Sequence, residues 1–316
     1  MKIKTSVIKG GFLLLSVLCL SISFPAFAKA PAAPRKVTSY SCKRSGTSIT
    51  VRWKKQPKIT GYQVYRSTSK TGKYKRVKTT SKTFWKNTGL KHGSKYYYKI
   101  RAYKTTGGKR VYGAFSAVRS ANIPKTRWQK LQDKYRNVPS VRQLIFVQYT
   151  GGTKAKVYLY KKQGKNWKKI LSCNGYVGRR GINKKKEGDK KTPTGTFNIT
   201  SGFGIKSKPP TRLPYTKVNS SHYWCADRAN YNKLINIKKT PHKCRGEHLI
   251  DYKGVYDYGL FTDFNKACTY GKGSAIFMHC TGNYPYTGGC VAVCKSSMLK
   301  IMKNIDTQTK ICIYPK

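Results

Sequence analysis

One short stretch holds residues that could carry nucleophilic chemistry. In His279-Cys280-Thr281-Gly282-Asn283-Tyr284-Pro285-Tyr286-Thr287-Gly288-Gly289-Cys290-Val291-Ala292-Val293, a histidine precedes a glycine-flanked cysteine by eleven positions. An imidazole within reach of a thiol takes its proton, and the resulting ion pair holds the sulfur as thiolate, a competent attacker of a carbonyl carbon. Small residues before the cysteine let a substrate carbonyl approach and leave backbone N–H groups free to stabilise an oxyanion. The chemistry implied is thiol-dependent acyl transfer.

Such a pair has to be held on rigid elements. Ser274-Ala275-Ile276-Phe277-Met278 reads as a buried strand that delivers His279 at its end. Ser296 to Ile305 reads as a short amphipathic helix with Met298, Ile301, Met302 and Ile305 on one stripe, which is the spacing of a core face. Further upstream lie Gly181-x-Asn183 and the run Glu187-Gly188-Asp189-Lys190-Lys191-Thr192-Pro193-Thr194-Gly195-Thr196-Phe197. Glu247-His248-Leu249, Tyr256-Asp257-Tyr258-Gly259 and Gly273-Ser274-Ala275-Ile276-Phe277 follow.

Together these stretches, from about Val141 to the C-terminus, resemble the YkuD-type L,D-transpeptidase family, and most closely its branch with a Thr-small-Gly-Cys-Val-Ala ending. The resemblance implies a β-rich catalytic domain with a few short helices that remodels peptidoglycan. Cys290 would attack the carbonyl of the third residue of a stem tetrapeptide, D-Ala would leave, and an amine of a neighbouring stem would take the acyl group as a 3→3 cross-link. His279 would act as base and then acid. The N–H groups of Gly289 and Cys290 would face the oxyanion, and a carbonyl near Thr287 or Gly288 would orient His279. Pro193, Thr194 and Gly195 would wall the substrate groove, and Asp227 and Tyr286 would contact the stem. No cofactor and no resident metal are expected. The chain departs from the commoner family pattern by carrying Gly288 where a histidine is usual and Ala292 where an arginine is usual.

Ahead of this part, short alternating segments recur between turn signals: Ser48–Trp53, Gly61–Arg66, Tyr74–Thr79 and Lys95–Tyr103. In the last, Tyr96, Tyr98, Ile100 and Ala102 share one face and Lys99 and Arg101 the other. Several such strands in so short a stretch imply a small β-sandwich. Trp53 with Leu90-x-x-Gly93-x-x-Tyr96-x-Tyr98-x-Ile100-x-Ala102 resembles a fibronectin type III domain, in which Tyr96 would tie a loop to the sheet. The fold class expected is therefore mainly β. Residues 1–28 form a signal peptide, 29–122 the fibronectin-like sandwich, 123–140 a linker with one short helix around Trp128–Tyr135, and 141–316 the catalytic domain.

The signal peptide is read from Lys2, Lys4 and Lys9, the apolar stretch Phe12–Phe24, and the small-x-small sites Ala26-Phe27-Ala28 and Ala28-Lys29-Ala30. That stretch falls short of the ~20 residues a membrane span needs, so a secreted or wall-associated protein without a stable anchor is expected. Of 10 cysteines, removal of Cys19 leaves nine, an odd number with one to spare for catalysis. His222-x-x-Cys225 and His242-x-Cys244 fit either mixed zinc ligation or a Cys225–Cys244 disulfide, which an oxidising compartment favours. Cys294 is one partner for Cys280.

Sixty-six Lys plus Arg stand against 9 Asp plus Glu, a formal net charge of +57. The folded surface must be strongly positive, which suits anionic wall polymers. Charge alone does not make a nucleic-acid binder of an exported chain that carries no nucleic-acid-binding motif. The two rival readings are an L,D-carboxypeptidase acting on the same stems and a non-catalytic basic wall-binding or adhesin protein.

Overall fold

The computed structural model describes residues 31–316, so the signal-peptide expectation and both cleavage sites lie outside the described residues. The chain divides into two compact units between Pro124 and Lys125.

The first unit is a β-sandwich of β1 (Tyr40–Ser45), β2 (Ser48–Trp53), β3 (Gly61–Ser67), β4 (Lys75–Thr80), β5 (Phe84–Asn87), β6 (Lys95–Thr106), β7 (Lys109–Tyr112) and β8 (Arg119–Asn122). One sheet runs β1-β2-β5; the other runs β4-β3-β6-β7, with β8 also paired to β6. The period-2 pattern decides the faces: Tyr96, Tyr98, Ile100 and Ala102 of β6 are all buried, against Ile49, Val51, Trp53, Tyr62 and Val64. The Tyr96 hydroxyl accepts the Lys91 N–H at 3.0 Å, five residues upstream, and so ties the preceding loop to the sheet. Trp53 is core, edge-on to Tyr62 at 5.2 Å.

The second unit opens with α1 (Arg127–Tyr135), whose start is set by a capping box of Thr126 and Gln129. The stretch read as a linker is therefore not free-standing. Trp128 packs on Phe146 at 4.8 Å, and the Trp167 indole N–H donates to the Gln132 carbonyl at 2.9 Å. Apolar Trp128, Leu131 and Tyr135 need cover, and the second unit supplies it.

Strands β9 (Gln143–Gly151), β10 (Lys154–Gln163), β11 (Asn166–Tyr176), β12 (Gly195–Gly204), β13 (Tyr215–Lys217), β14 (His222–Cys225), β15 (Lys233–Asn236), β16 (Glu247–His248), β17 (Gly259–Thr262), β18 (Phe277–Cys280) and β19 (Val291–Val293) follow, then α2 (Lys295–Asn304) and β20 (Thr309–Pro315). The main sheet runs β13-β12-β17-β18-β19-β11-β10-β9-β20, and β12 also pairs β20, so the sheet closes on itself. β12 achieves this by changing partner along its length, with Gly195–Asn198 on β20 and Ile199–Phe203 on β17. The apolar stripe of α2, Met298, Ile301 and Met302, is fully buried in the core with Ile145, Val157, Leu260 and Met278. A separate small sheet, β15-β14-β16, stands beside it.

Candidate active site

β18 and β19 run parallel with Met278 opposite Val291 and His279 opposite Ala292. In that register Cys290, at the entry to β19, and His279 on β18 project from the same face of the sheet. Both line one cavity of about 780 Å³, together with Ala275, Tyr286, Thr287, Gly288, Gly289 and Ala292.

His279 is buried, and its Nδ1 lies 2.7 Å from the Cys280 carbonyl oxygen. A carbonyl only accepts, so Nδ1 carries the proton and Nε2 keeps its lone pair. The sequence-based expectation of a carbonyl near Thr287 or Gly288 is corrected here, because the Thr287 carbonyl is taken by the Arg179 N–H at 2.9 Å. The adjacent residue supplies the orienting oxygen instead. Tyr256 meets the imidazole edge-on at 5.4 Å, and burial pushes the His279 pKa down to about 4 against the opposing pull of the Cys280 carbonyl.

Cys290 is buried among Phe203, Phe261, Phe277 and Tyr256. Its thiol donates to the Ala275 carbonyl at 3.0 Å and its sulfur accepts the Phe277 N–H at 3.2 Å. Burial pushes this thiol well up, and the Glu247 carboxylate adds to the rise, while the Phe277 N–H and the Lys184 ammonium pull the other way. Both shifts act against the expected thiolate–imidazolium pair. The physical reason is desolvation, which disfavours both charged forms.

The turn before Cys290 is built by Thr287. Its Oγ1 donates to the Cys290 carbonyl at 2.8 Å and accepts the Gly289 N–H at 3.1 Å. That second bond occupies Gly289 N–H, one of the two donors expected to face an oxyanion; the Cys290 N–H has no partner among the described residues. Gly289 sits at φ +155°, and a Cβ there would meet the Lys191 carbonyl oxygen at 3.0 Å. At Gly288 a Cβ would meet nothing within 4 Å, so the position opens into the cavity.

Other expected contacts fall elsewhere. Pro193, Thr194 and Gly195 are absent from the cavity lining. Pro193 is buried, the Thr194 hydroxyl donates to Asn183 Oδ1 at 3.1 Å, and Gly195 begins β12. The residue of that run which touches the site is Thr192, fully buried, whose Oγ1 donates to the Cys290 carbonyl at 2.9 Å and accepts the Gly178 N–H at 2.8 Å. Asp227 also lies off the lining; its Oδ2 is 2.9 Å from His242 Nε2 and 3.1 Å from Cys225 Sγ. Tyr286 does line the cavity, stacked on Tyr284 at 5.3 Å.

Three cavity residues were not read from the sequence as site residues. Glu247 is pushed up by burial, and its Oε2 accepts the Tyr256 hydroxyl at 2.5 Å. Lys184 has a side chain only 3% exposed and pairs with Asp189 at 3.0 Å. Burial would raise the Asp189 carboxyl, but the N–H groups of Lys185, Lys191 and Lys186 and the Lys184 ammonium hold it at about 2. Lys190 adds an exposed cation to the rim. Neither lysine stands near the nucleophile in sequence, so no spacing signal marks them.

The described cysteines are free thiols, and neither expected bridge is formed. Cys280 donates to the Tyr258 carbonyl at 3.5 Å, while Cys294, at the start of α2, lies 3.3 Å from Ser296 Oγ.

Residues 142–313, more than half of the chain, match the family of L,D-transpeptidase catalytic domains, YkuD. Residues 32–116 match the fibronectin type III domain. Among solved structures, the first unit is similar to the sixth fibronectin type III domain of human fibronectin type III domain containing protein 3. The identity is 19% over 31% of this chain and 92% of that one, with a TM-score of 0.27. It is also similar to an Fn3-like protein from Clostridium thermocellum, 29% identical over 31% of this chain and 98% of that one, with a TM-score of 0.23. A search of curated proteins finds no match.

Proposed function

The chain belongs to the L,D-transpeptidase family, with a fibronectin type III domain ahead of the catalytic one, and we propose that it is an exported peptidoglycan cross-linking enzyme with Cys290 as nucleophile and His279 as base. The observation that carries this reading is that Cys290 and His279 line one cavity while the Cys280 carbonyl holds His279 Nδ1, leaving Nε2 as the free base.

In this reading the Cys290 thiol exchanges its bond to the Ala275 carbonyl for one to His279 Nε2 when a donor stem enters. Nε2 takes the proton as sulfur attacks the carbonyl carbon of the third stem residue, so the disfavoured charged pair exists only along the reaction. The oxyanion meets the Cys290 N–H. The intermediate collapses to a thioester, and the imidazolium returns its proton to the departing D-Ala amine. Nε2 then takes a proton from the acceptor amine of a second stem, whose nitrogen displaces sulfur, and the thiol is restored. The exposed Lys190 cation gives the rim its attraction for stem carboxylates, a task the usual arginine at position 292 cannot perform in a chain that has Ala292.

The basic fibronectin domain, without an acid between residues 35 and 122, retains the enzyme on anionic wall polymers. Binding of the whole protein to wall material should therefore weaken as salt rises.

Mass spectrometry of disaccharide-tetrapeptide incubated with the protein, beside a Cys290→Ala control, tests the reaction. Dimers joined 3→3 with loss of D-Ala, dependent on Cys290, are expected. Tripeptide without dimers would replace the reading by an L,D-carboxypeptidase. No Cys290-dependent change from folded, reduced protein would overturn enzymatic action on this substrate and favour a wall-binding role.

A further inference from the structure

Cys225, Asp227, His242 and Cys244 place one donor atom each within 4.8 Å of one another. Cys225 Sγ is 3.1 Å from Asp227 Oδ2 and 3.5 Å from His242 Nε2, and those two are 2.9 Å apart. A tetrahedron with zinc–sulfur bonds of about 2.3 Å and zinc–nitrogen or zinc–oxygen bonds of about 2.0–2.1 Å has edges of roughly 3.3–3.8 Å. The three edges among Cys225, Asp227 and His242 reach those lengths by opening at most about half an ångström, and Cys244 Sγ, within 4.8 Å of the other three, completes the set.

We propose that these four residues form a zinc site that fastens the wall of the catalytic cavity. His222, one of the four ligands the sequence suggested, is turned away to Asn219 Oδ1 at 2.7 Å, and Asp227 takes its place. Two thiolates and an imidazole with one carboxylate suit zinc and are too soft for magnesium or calcium.

A second observation points the same way. From Lys238 to Gly246 the only residues not exposed are His242 and Cys244. No apolar side chain of that segment is buried, so nothing else on it explains why these two alone turn inward. Arg245 donates its N–H to Asp227 Oδ2 at 2.9 Å, which orients the carboxylate. Binding displaces one proton from each thiol and leaves a site of net charge −1, which Lys243 and Arg245, beside the ligands in the chain, stabilise.

The location gives the site its role. Trp224 and Ala226 flank Cys225, Gly246 and Glu247 follow Cys244, and all four line the cavity that holds Cys290. The metal therefore joins the two chain segments that make one wall, and fixes Glu247 against Tyr256.

Elemental analysis of the whole chain, purified with reductant and without chelator, should find about one zinc per molecule. A Cys225→Ser/Cys244→Ser variant should lose it or bind at least ~100-fold more weakly, and a Cys290→Ala variant should keep it. Metal-stripped wild type should take up one cobalt(II) with sulfur-to-cobalt charge-transfer absorption, which needs no variant to fold. Stripping should also speed tryptic cleavage at Lys238, Lys239, Lys243 and Arg245 by about tenfold or more, in line with loss of local order. None of these readouts uses transpeptidation, so they stand or fall apart from that reaction. Reduced wild type that binds neither metal overturns the proposal, as does equal zinc in the double variant. So does a Cys225–Cys244 disulfide found by peptide mapping of the protein as isolated.

Discussion

Thr192 Oγ1 donates to the carbonyl of Cys290 at 2.9 Å across 98 positions of sequence. The same oxygen accepts the Gly178 N–H, so one buried hydroxyl joins three segments and fixes the backbone from which the nucleophile projects. Thr192→Val keeps the shape but leaves the Gly178 N–H unpaired in the core. We expect a loss of about 1–3 kcal/mol in urea denaturation together with slower acylation of Cys290. Thr192→Ser should restore both, because it keeps the oxygen.

A buried neutral thiol reacts differently from a thiolate held by imidazolium. Alkylation of Cys290 by iodoacetamide, followed by peptide mapping, should be slow at neutral pH and still rising beyond pH 9, since burial raises this thiol. A plateau from pH 5 upward would show a preformed ion pair. Glu247→Gln removes a charge that opposes the thiolate while leaving an acceptor for Tyr256. Its Cys290 should alkylate about three- to tenfold faster at a fixed alkaline pH.

His279 also links stability to pH. Its native pKa of about 4 lies below the ordinary value of 6.5. Above pH 6.5 neither state binds the proton, and stability from this group is at its full value. As pH falls from 6.5 to 4 the unfolded chain takes up a proton that the native chain refuses, so stability declines by about 3 kcal/mol. Urea denaturation across that window should show the decline in the wild type and lack it in His279→Gln.

The two glycines before Cys290 should respond oppositely. Gly289→Ala puts a Cβ against the Lys191 carbonyl at an unfavourable φ, and should cost about 1–3 kcal/mol and most of the activity. Gly288→His, which installs the residue commoner in the family, projects into open cavity and should leave the melting temperature within a few degrees.

Several features were legible from the sequence because each depends on residues close together in the chain. The period-2 face of β6 buried Tyr96, Tyr98, Ile100 and Ala102, and the stripe of α2 buried Met298, Ile301 and Met302. The His279–Cys290 pair was visible as a short motif, and the match of residues 142–313 to the family agrees with the motifs around it. Local periodicity and spacing are written into a sequence directly.

Contacts across the closed sheet were not legible in this way. Thr192 is brought to the site by its bridge to Ile182 and its bonds to Gly178 and Cys290, Lys184 by its pairing with Asp189, and Glu247 by the small sheet whose Trp224 packs on Phe261 and Phe277. The run Pro193–Gly195 instead leads into β12, with Pro193 buried and Thr194 bonded to Asn183. The protonation of the pair was also decided by tertiary structure. Spacing and motif brought a thiol and an imidazole to one cavity, but the surrounding aromatic residues exclude the water that would favour their charged forms. Residue types and their spacing thus determined which groups come to the cavity, whereas burial, set by distant parts of the chain, decided how strongly each resists ionisation.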